Sequence, residues 1–70
     1  MANKIHFGKR ISVLRRKAGL SQTDLAEKLG VTSQAVSKWE TGASDPSTSN
    51  LLTLAKLFNT TAEELLREVQ

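Results

Sequence analysis

The 70-residue sequence predicts an all-α domain of five short helices. Three observations predict it. Apolar residues recur at three- and four-residue steps, the spacing that lines one face of a helix. The runs are punctuated by capping residues: Ser21, Thr32, Ser47 and Thr61 precede helical segments, and Gly19, Gly30, Gly42 and Asn59 follow them. No apolar run exceeds two residues, which excludes a signal peptide or a membrane-spanning helix.

Composition bounds the rest. Seventy residues make one small domain, 1–70, with a net stability of about 3–10 kcal/mol expected. There is no Cys, hence no disulfide or thiolate metal site, and the core must suffice alone. That absence fits a cytoplasmic protein. The net charge of +3 is uneven. Residues 1–38 carry eight Lys/Arg and two Asp/Glu (+6); residues 39–70 carry two and five (−3). A basic half points to a polyanion partner, against the alternative of chance asymmetry in a short chain.

In chain order, Met1-Ala2-Asn3-Lys4 reads as loose. A first helix is expected over Ile5 to Lys17, with Phe7, Ile11, Leu14 and Ala18 as its inward stripe. Gly8 lies inside that helix and costs it about 1 kcal/mol against Ala; close packing would be a reason for it. Lys9, Arg10, Arg16 and Lys17 look outward, to solvent or to phosphate. His6 has no ligand partner and reads as a surface residue.

The second helix is expected from Gln22 to Leu29, with Ser21 and Asp24 placed as a capping box. Leu25, Ala26 and Leu29 point inward, while Thr23 and Lys28 are exposed. Gln22 opens the helix, where free backbone N–H groups and the positive dipole end attract phosphate. Gly30-Val31-Thr32 turns the chain into a third helix from Ser33 to Thr41, which Gly42 ends. Two short helices joined by a tight Gly-containing turn describe a helix-turn-helix spanning about 22–41.

The third helix has two faces. With Ser33 at zero on a wheel of about 100° per residue, Gln34, Ser37, Lys38 and Thr41 fall between about 40° and 140°. Ala35, Val36 and Trp39 fall between about 200° and 300°. The polar side carries hydroxyls, an amide and an amine, without a carboxylate. Such a face suits base edges: Gln bonds adenine at two points, Lys donates to guanine, and Ser serves either. Taken alone it would read as a solvated surface, and the preceding helix and turn reverse that preference. Trp39 shares its side with Ala35 and Val36, so it reads as core rather than as a stacking platform.

Residues 43–47 form a loop by composition. Ser47 then caps a fourth helix expected from Thr48 to Phe58, with Leu51, Leu54, Ala55 and Phe58 inward and Asn59 at its end. Thr61, with Glu64 three residues on, opens a fifth helix whose apolar contacts come from Leu65 and Leu66.

The stretch SQTDLAEKLGV…SQAVSKWETG resembles the phage-repressor (lambda repressor/Cro-like, XRE-type) helix-turn-helix family, also found in bacterial regulators. The resemblance runs from about Phe7 to Leu66. It implies a compact five-helix bundle, a lambda repressor-like DNA-binding domain that binds operator DNA as a homodimer. It further implies that Gln22 supports Gln34, and that Arg15 pairs with Glu40, which the wheel puts at about 340°, between core and polar face. Such a pair would tie the first helix to the third and aim Arg15 at a phosphate. The chain departs from the family in its loop, which has Asp45 and no Lys or Arg. Only Thr41, Ser44, Ser47 and backbone N–H groups could serve phosphate there, and a shallower salt dependence follows. Thr60 and Ala62 stand where relatives often carry larger apolar residues, which implies either a less filled core there or an altered dimer surface; the expected dimer surface is the fifth helix with Asn59–Thr61.

The resulting expectation is a sequence-specific transcriptional regulator, a repressor, that sets helix 33–41 in the major groove of double-stranded DNA on an inverted repeat. Ser33, Gln34, Ser37 and Lys38 would contact bases. Gln22, Thr23, Arg10, Arg15, Thr41 and Ser44 would fix register on the backbone. The chain would be either a minimal regulator or the N-terminal piece of a longer one. One His, no Cys and no Tyr leave no catalytic constellation, metal cluster or phosphate-cradling motif. No enzyme activity, cofactor, small-molecule ligand or membrane partner is expected. The competing reading is a protein-interaction module, an antitoxin or adaptor built on the same fold.

Overall fold

Helices α1 (Asn3–Lys17), α2 (Gln22–Leu29), α3 (Ser33–Thr41), α4 (Thr48–Leu57) and α5 (Ala62–Leu66) make up the architecture in the computed structural model, which describes residues 3–66. No strand occurs among the described residues. Asn3 and Lys4, expected to be loose, already belong to α1. The expectations for Met1 and Ala2 and for the side chains of His6 and Leu66 lie outside the described residues.

Local signals set the boundaries. Ser21, Thr32 and Ser47 each accept a hydrogen bond from the backbone N–H three residues on, at Asp24, Ala35 and Asn50. Thr61 does the same for Glu64, at 3.0 Å. Helices α1 to α4 all close with one pair of backbone bonds. The clearest example ends α3, where Gly42 N–H reaches Trp39 O and Ala43 N–H reaches Lys38 O at 2.9 Å. The turning residue is left-handed each time, including Asn59 at φ 56°, where the amide side chain makes that geometry tolerable.

The Ser21 cap is reciprocal, because Asp24 Oδ2 accepts from the Ser21 N–H at 3.0 Å. That backbone bond first, and the Ser21 hydroxyl second, hold the Asp24 carboxyl below its ordinary value of 3.8. A lowered folded-state value means the group stabilises the fold above pH 3.8, and the contribution is lost as pH falls through the lower folded value. The melting-temperature gap between the protein and Asp24→Ala is therefore expected to narrow as pH drops below 3.8. A gap that stays constant with pH would remove the carboxylate's role.

Helices of eight to ten residues are too short to stand alone in water, so packing holds them. α1 packs on α3 and α5, α2 on α3 and α4, and α4 on α5. The core joins Phe7, Ile11, Leu25, Ala26, Val36, Trp39, Leu54, Ala55 and Leu65, one or two from every helix. Leu14, Leu29, Ala35, Leu51 and Phe58 pack around it, partly buried. Ala18 is a correction: it is exposed, because α1 ends at Lys17 and the left-handed Gly19 carries the chain off the stripe.

Gly8 is buried where α1 crosses the last turn of α3. A Cβ there would lie 2.4 Å from the Trp39 carbonyl oxygen and 2.6 Å from that of Glu40. Both neighbours are backbone. The helical penalty of a glycine is thus offset by an approach that no side chain would permit.

Candidate nucleic-acid interface

Helix α3 presents the two faces its periodicity demands. Val36 and Trp39 are buried at 0% and 4% exposure. Gln34, Lys38 and Thr41 are exposed, and Ser33 and Ser37 are half-buried beside them. An amide, an amine and three hydroxyls therefore stand on one surface strip without a carboxylate. The Ser33 hydroxyl donates to Gln34 Oε1 at 3.4 Å, and Thr41 Oγ1 donates back to the Lys38 carbonyl at 3.2 Å.

Beneath the strip lies a charged network. Arg15 Nε donates to Glu40 Oε2 at 2.7 Å and its Nη2 to Glu40 Oε1 at 3.2 Å, a bidentate pair. The third arm, Nη1, donates to the Leu20 carbonyl at 2.9 Å. The side chains are only 10% and 8% exposed. Gln22 completes the set: its Nε2 donates to Glu40 Oε1 at 3.0 Å. One carboxylate near the end of α3 thus gathers the C-terminal turn of α1 and the first residue of α2. This fixes the relative placement of the two helix-turn-helix arms.

Two expected site residues are placed differently from their reading. Gln22 does not hold Gln34 in this structure; its amide nitrogen is turned to Glu40, a stronger, charged acceptor. Arg10, expected on the DNA backbone, is half-buried and donates through Nη1 to the Glu64 carbonyl, which pins α1 to α5. In the loop, the half-buried Ser44 donates its N–H to the Lys38 carbonyl at 3.3 Å, which takes that N–H out of the expected phosphate contacts. Thr23 is exposed at the start of α2, beside Gln22. Sequence reasoning missed the Gln22–Glu40 bond. Its one trace was the wheel position of Glu40 at the face boundary.

Residues 11–65 match the family model described as helix-turn-helix. The chain is 41% identical over 60 residues to the HTH-type transcriptional regulator ImmR of Bacillus subtilis, covering 86% of this chain and 47% of that protein. It is 39% identical over 62 residues to the HTH-type transcriptional activator BcrR of Enterococcus faecalis, covering 89% and 30%. The chain therefore spans less than half the length of these two curated relatives. Among solved structures, the phage P22 c2 repressor in complex with a synthetic operator superposes with a TM-score of 0.83 at 34% identity, covering 87% of this chain and 92% of that one.

Proposed function

The chain belongs to the helix-turn-helix family of phage-repressor type, and from that premise we propose that it is a sequence-specific double-stranded DNA-binding transcriptional regulator. The observation that carries the reading is the carboxylate-free strip on α3, Ser33, Gln34, Ser37 and Lys38, standing over buried Val36 and Trp39. In this reading α3 lies in the major groove. Gln34 reads adenine through its amide, and Ser33, Ser37 and Lys38 meet neighbouring bases or phosphates. Gln22, Thr23, Arg15, Thr41 and Ser44 flank the strip and set register on the backbone. Two copies bind an inverted repeat with half-sites about 34–36 Å apart. Repression is the simplest output, since occupying an operator requires only these contacts, and the reading places the protein in the cytoplasm as a binder rather than an enzyme.

Selection of bound sequences from a randomised duplex pool tests it, with affinity followed against salt. Gln34→Ala is expected to weaken specific binding by about 1–3 kcal/mol and to relax one base-pair position per half-site. Lys38→Ala assigns that amine: a loss confined to one position marks a base contact, and a uniform loss with a smaller salt slope marks a phosphate contact. Absence of both sequence preference and salt-dependent binding would overturn the reading in favour of a protein-interaction module.

A further inference from the structure

Helix α1 carries six Lys/Arg and no Asp/Glu, and its neighbours sort them by direction. With Ile11 at zero on a wheel of about 100° per residue, Gly8 and Arg15 fall at about 40–60° and meet α3 through Trp39 and Glu40. Arg10, at about 260°, meets α5 through the Glu64 carbonyl. The arc between them is open to solvent. Its half beside α3 carries half-buried Ser12 and exposed Arg16 and Lys9, at about 100°, 140° and 160°. Its half beside α5 carries exposed Val13 and Lys17. Lys9, Ser12 and Arg16 follow one another at three and four residues, so they form a single ridge about 10 Å long. Neither Lys9 nor Arg16 makes an ion pair among the described residues. Arg16, in the last turn, gains from the helix dipole. Lys9, in mid-helix, gains nothing from it, and two unpaired like charges on one ridge do not stabilise the helix.

We infer that the ridge Lys9–Ser12–Arg16 is a second line of contact to double-stranded DNA, gripping the sugar-phosphate backbone beside the groove that α3 occupies. Continuity of surface carries this. On α3, Glu40 stands between the polar strip and the core; on α1, Arg15 stands between the core and the outer arc. Their bidentate bond therefore joins the strip to the ridge along one side of the bundle. A duplex held at the strip has backbone running past that junction. The ridge meets it with two cations and, between them, a hydroxyl that can donate to a phosphate oxygen. Other elements leave that role open: residues 43–47 hold Asp45 and no Lys or Arg, and Arg10 and Arg15 are engaged within the fold. The ridge thus restores salt dependence that the loop forgoes. The inference rests on the proposed reading of α3 as a DNA reader.

The test measures affinity against salt for the duplex selected from the randomised pool and for a scrambled duplex of equal length. It compares the unaltered protein, the double variant Lys9→Gln with Arg16→Gln, and Lys17→Gln. Gln keeps the helix propensity, and the replaced side chains are exposed, so folding is preserved, as circular dichroism checks. If each cation neutralises one phosphate, the double variant loses about 30-fold in affinity at ~0.15 M salt and about 1.8 from the slope of log affinity against log salt. The loss falls on all sequences alike, and the base preference is unchanged. Lys17→Gln removes a charge from the other half of the arc and is expected to change affinity by no more than about twofold, because salt screens a charge held away from the strand. Affinity and slope unchanged in the double variant overturn the inference and leave the ridge to solvent. A loss per charge no larger than that of Lys17→Gln overturns it as an effect of net charge, and a loss confined to one base-pair position overturns it as a base contact. The DNA-binding reading survives all three. Absence of salt-dependent duplex binding by the unaltered protein overturns both.

Discussion

Gly8→Ala is expected to lower the melting temperature by roughly 10–20 °C, a loss of about 2–3 kcal/mol. Helix propensity alone forecasts the opposite sign, because Ala in a helix interior gains up to about 1 kcal/mol over Gly. Distance decides between them. The added carbon would sit 2.4, 2.6 and 2.8 Å from the Trp39 oxygen, the Glu40 oxygen and the Glu40 carbonyl carbon. None of these is the end of a flexible side chain, so the clash is relieved only by shifting α1 off α3. That shift loosens the contacts through which Phe7 and Ile11 share a core with Val36 and Trp39. Gly30→Ala is the informative comparison. Its φ of +72° strains an L side chain, but nothing lies within 4 Å of the new carbon, so about 1 kcal/mol is expected. Thermal unfolding of both variants, followed by far-ultraviolet circular dichroism, should place Gly8→Ala well below Gly30→Ala. A Gly8→Ala protein as stable as the original would show that the two helices do not cross at that distance.

Gly8 also marks where sequence reasoning stops. Its cost to α1 was readable, since propensity is a local property; the backbone it touches lies more than thirty residues away. The same division runs through the chain. Caps at Ser21, Thr32 and Ser47 and the left-handed turns at Gly30, Gly42 and Asn59 were legible because donor and acceptor stand three to five residues apart. The two faces of α3 were legible because a wheel needs only local spacing. Arg15 with Glu40 came from the family pattern, the two being 25 residues apart, and no periodicity contains it. The Arg10 bond to α5 was not legible, because its acceptor is a main-chain carbonyl 54 residues on, and carbonyls are invisible to residue-type reasoning. Gln22 went astray because two acceptors, Gln34 and Glu40, lay on the same neighbouring helix. The packing of α2 on α3, a tertiary property, brings the amide to the charged one. Ala18 differs for a local reason: the three- and four-residue spacing runs one residue past α1, whose end is set by the left-handed Gly19.

Arg15→Met is expected to be the other severe substitution, at about 3–5 kcal/mol, because it leaves Glu40 buried without its cation. Out of an expected stability of about 3–10 kcal/mol for a chain of this size, that is enough to leave an appreciable unfolded fraction at ambient temperature. The figure applies because the pair is not a surface pair: with side chains 10% and 8% exposed, solvent screening cannot reduce it to the few tenths typical outside. Removing the carboxylate as well should reverse most of the loss. In Arg15→Met with Glu40→Leu no charge is stranded, and replacing a buried ion pair by apolar groups of similar size is often neutral or better. The singles and the double thus form a cycle with a large coupling, measurable by urea unfolding. Recovery of stability in the double variant would assign the loss in Arg15→Met to the stranded Glu40 charge. If the double variant proved as unstable as Arg15→Met alone, the cost would lie in the lost packing of the Arg15 stem against α3, and the charge pairing would drop out of the stability account.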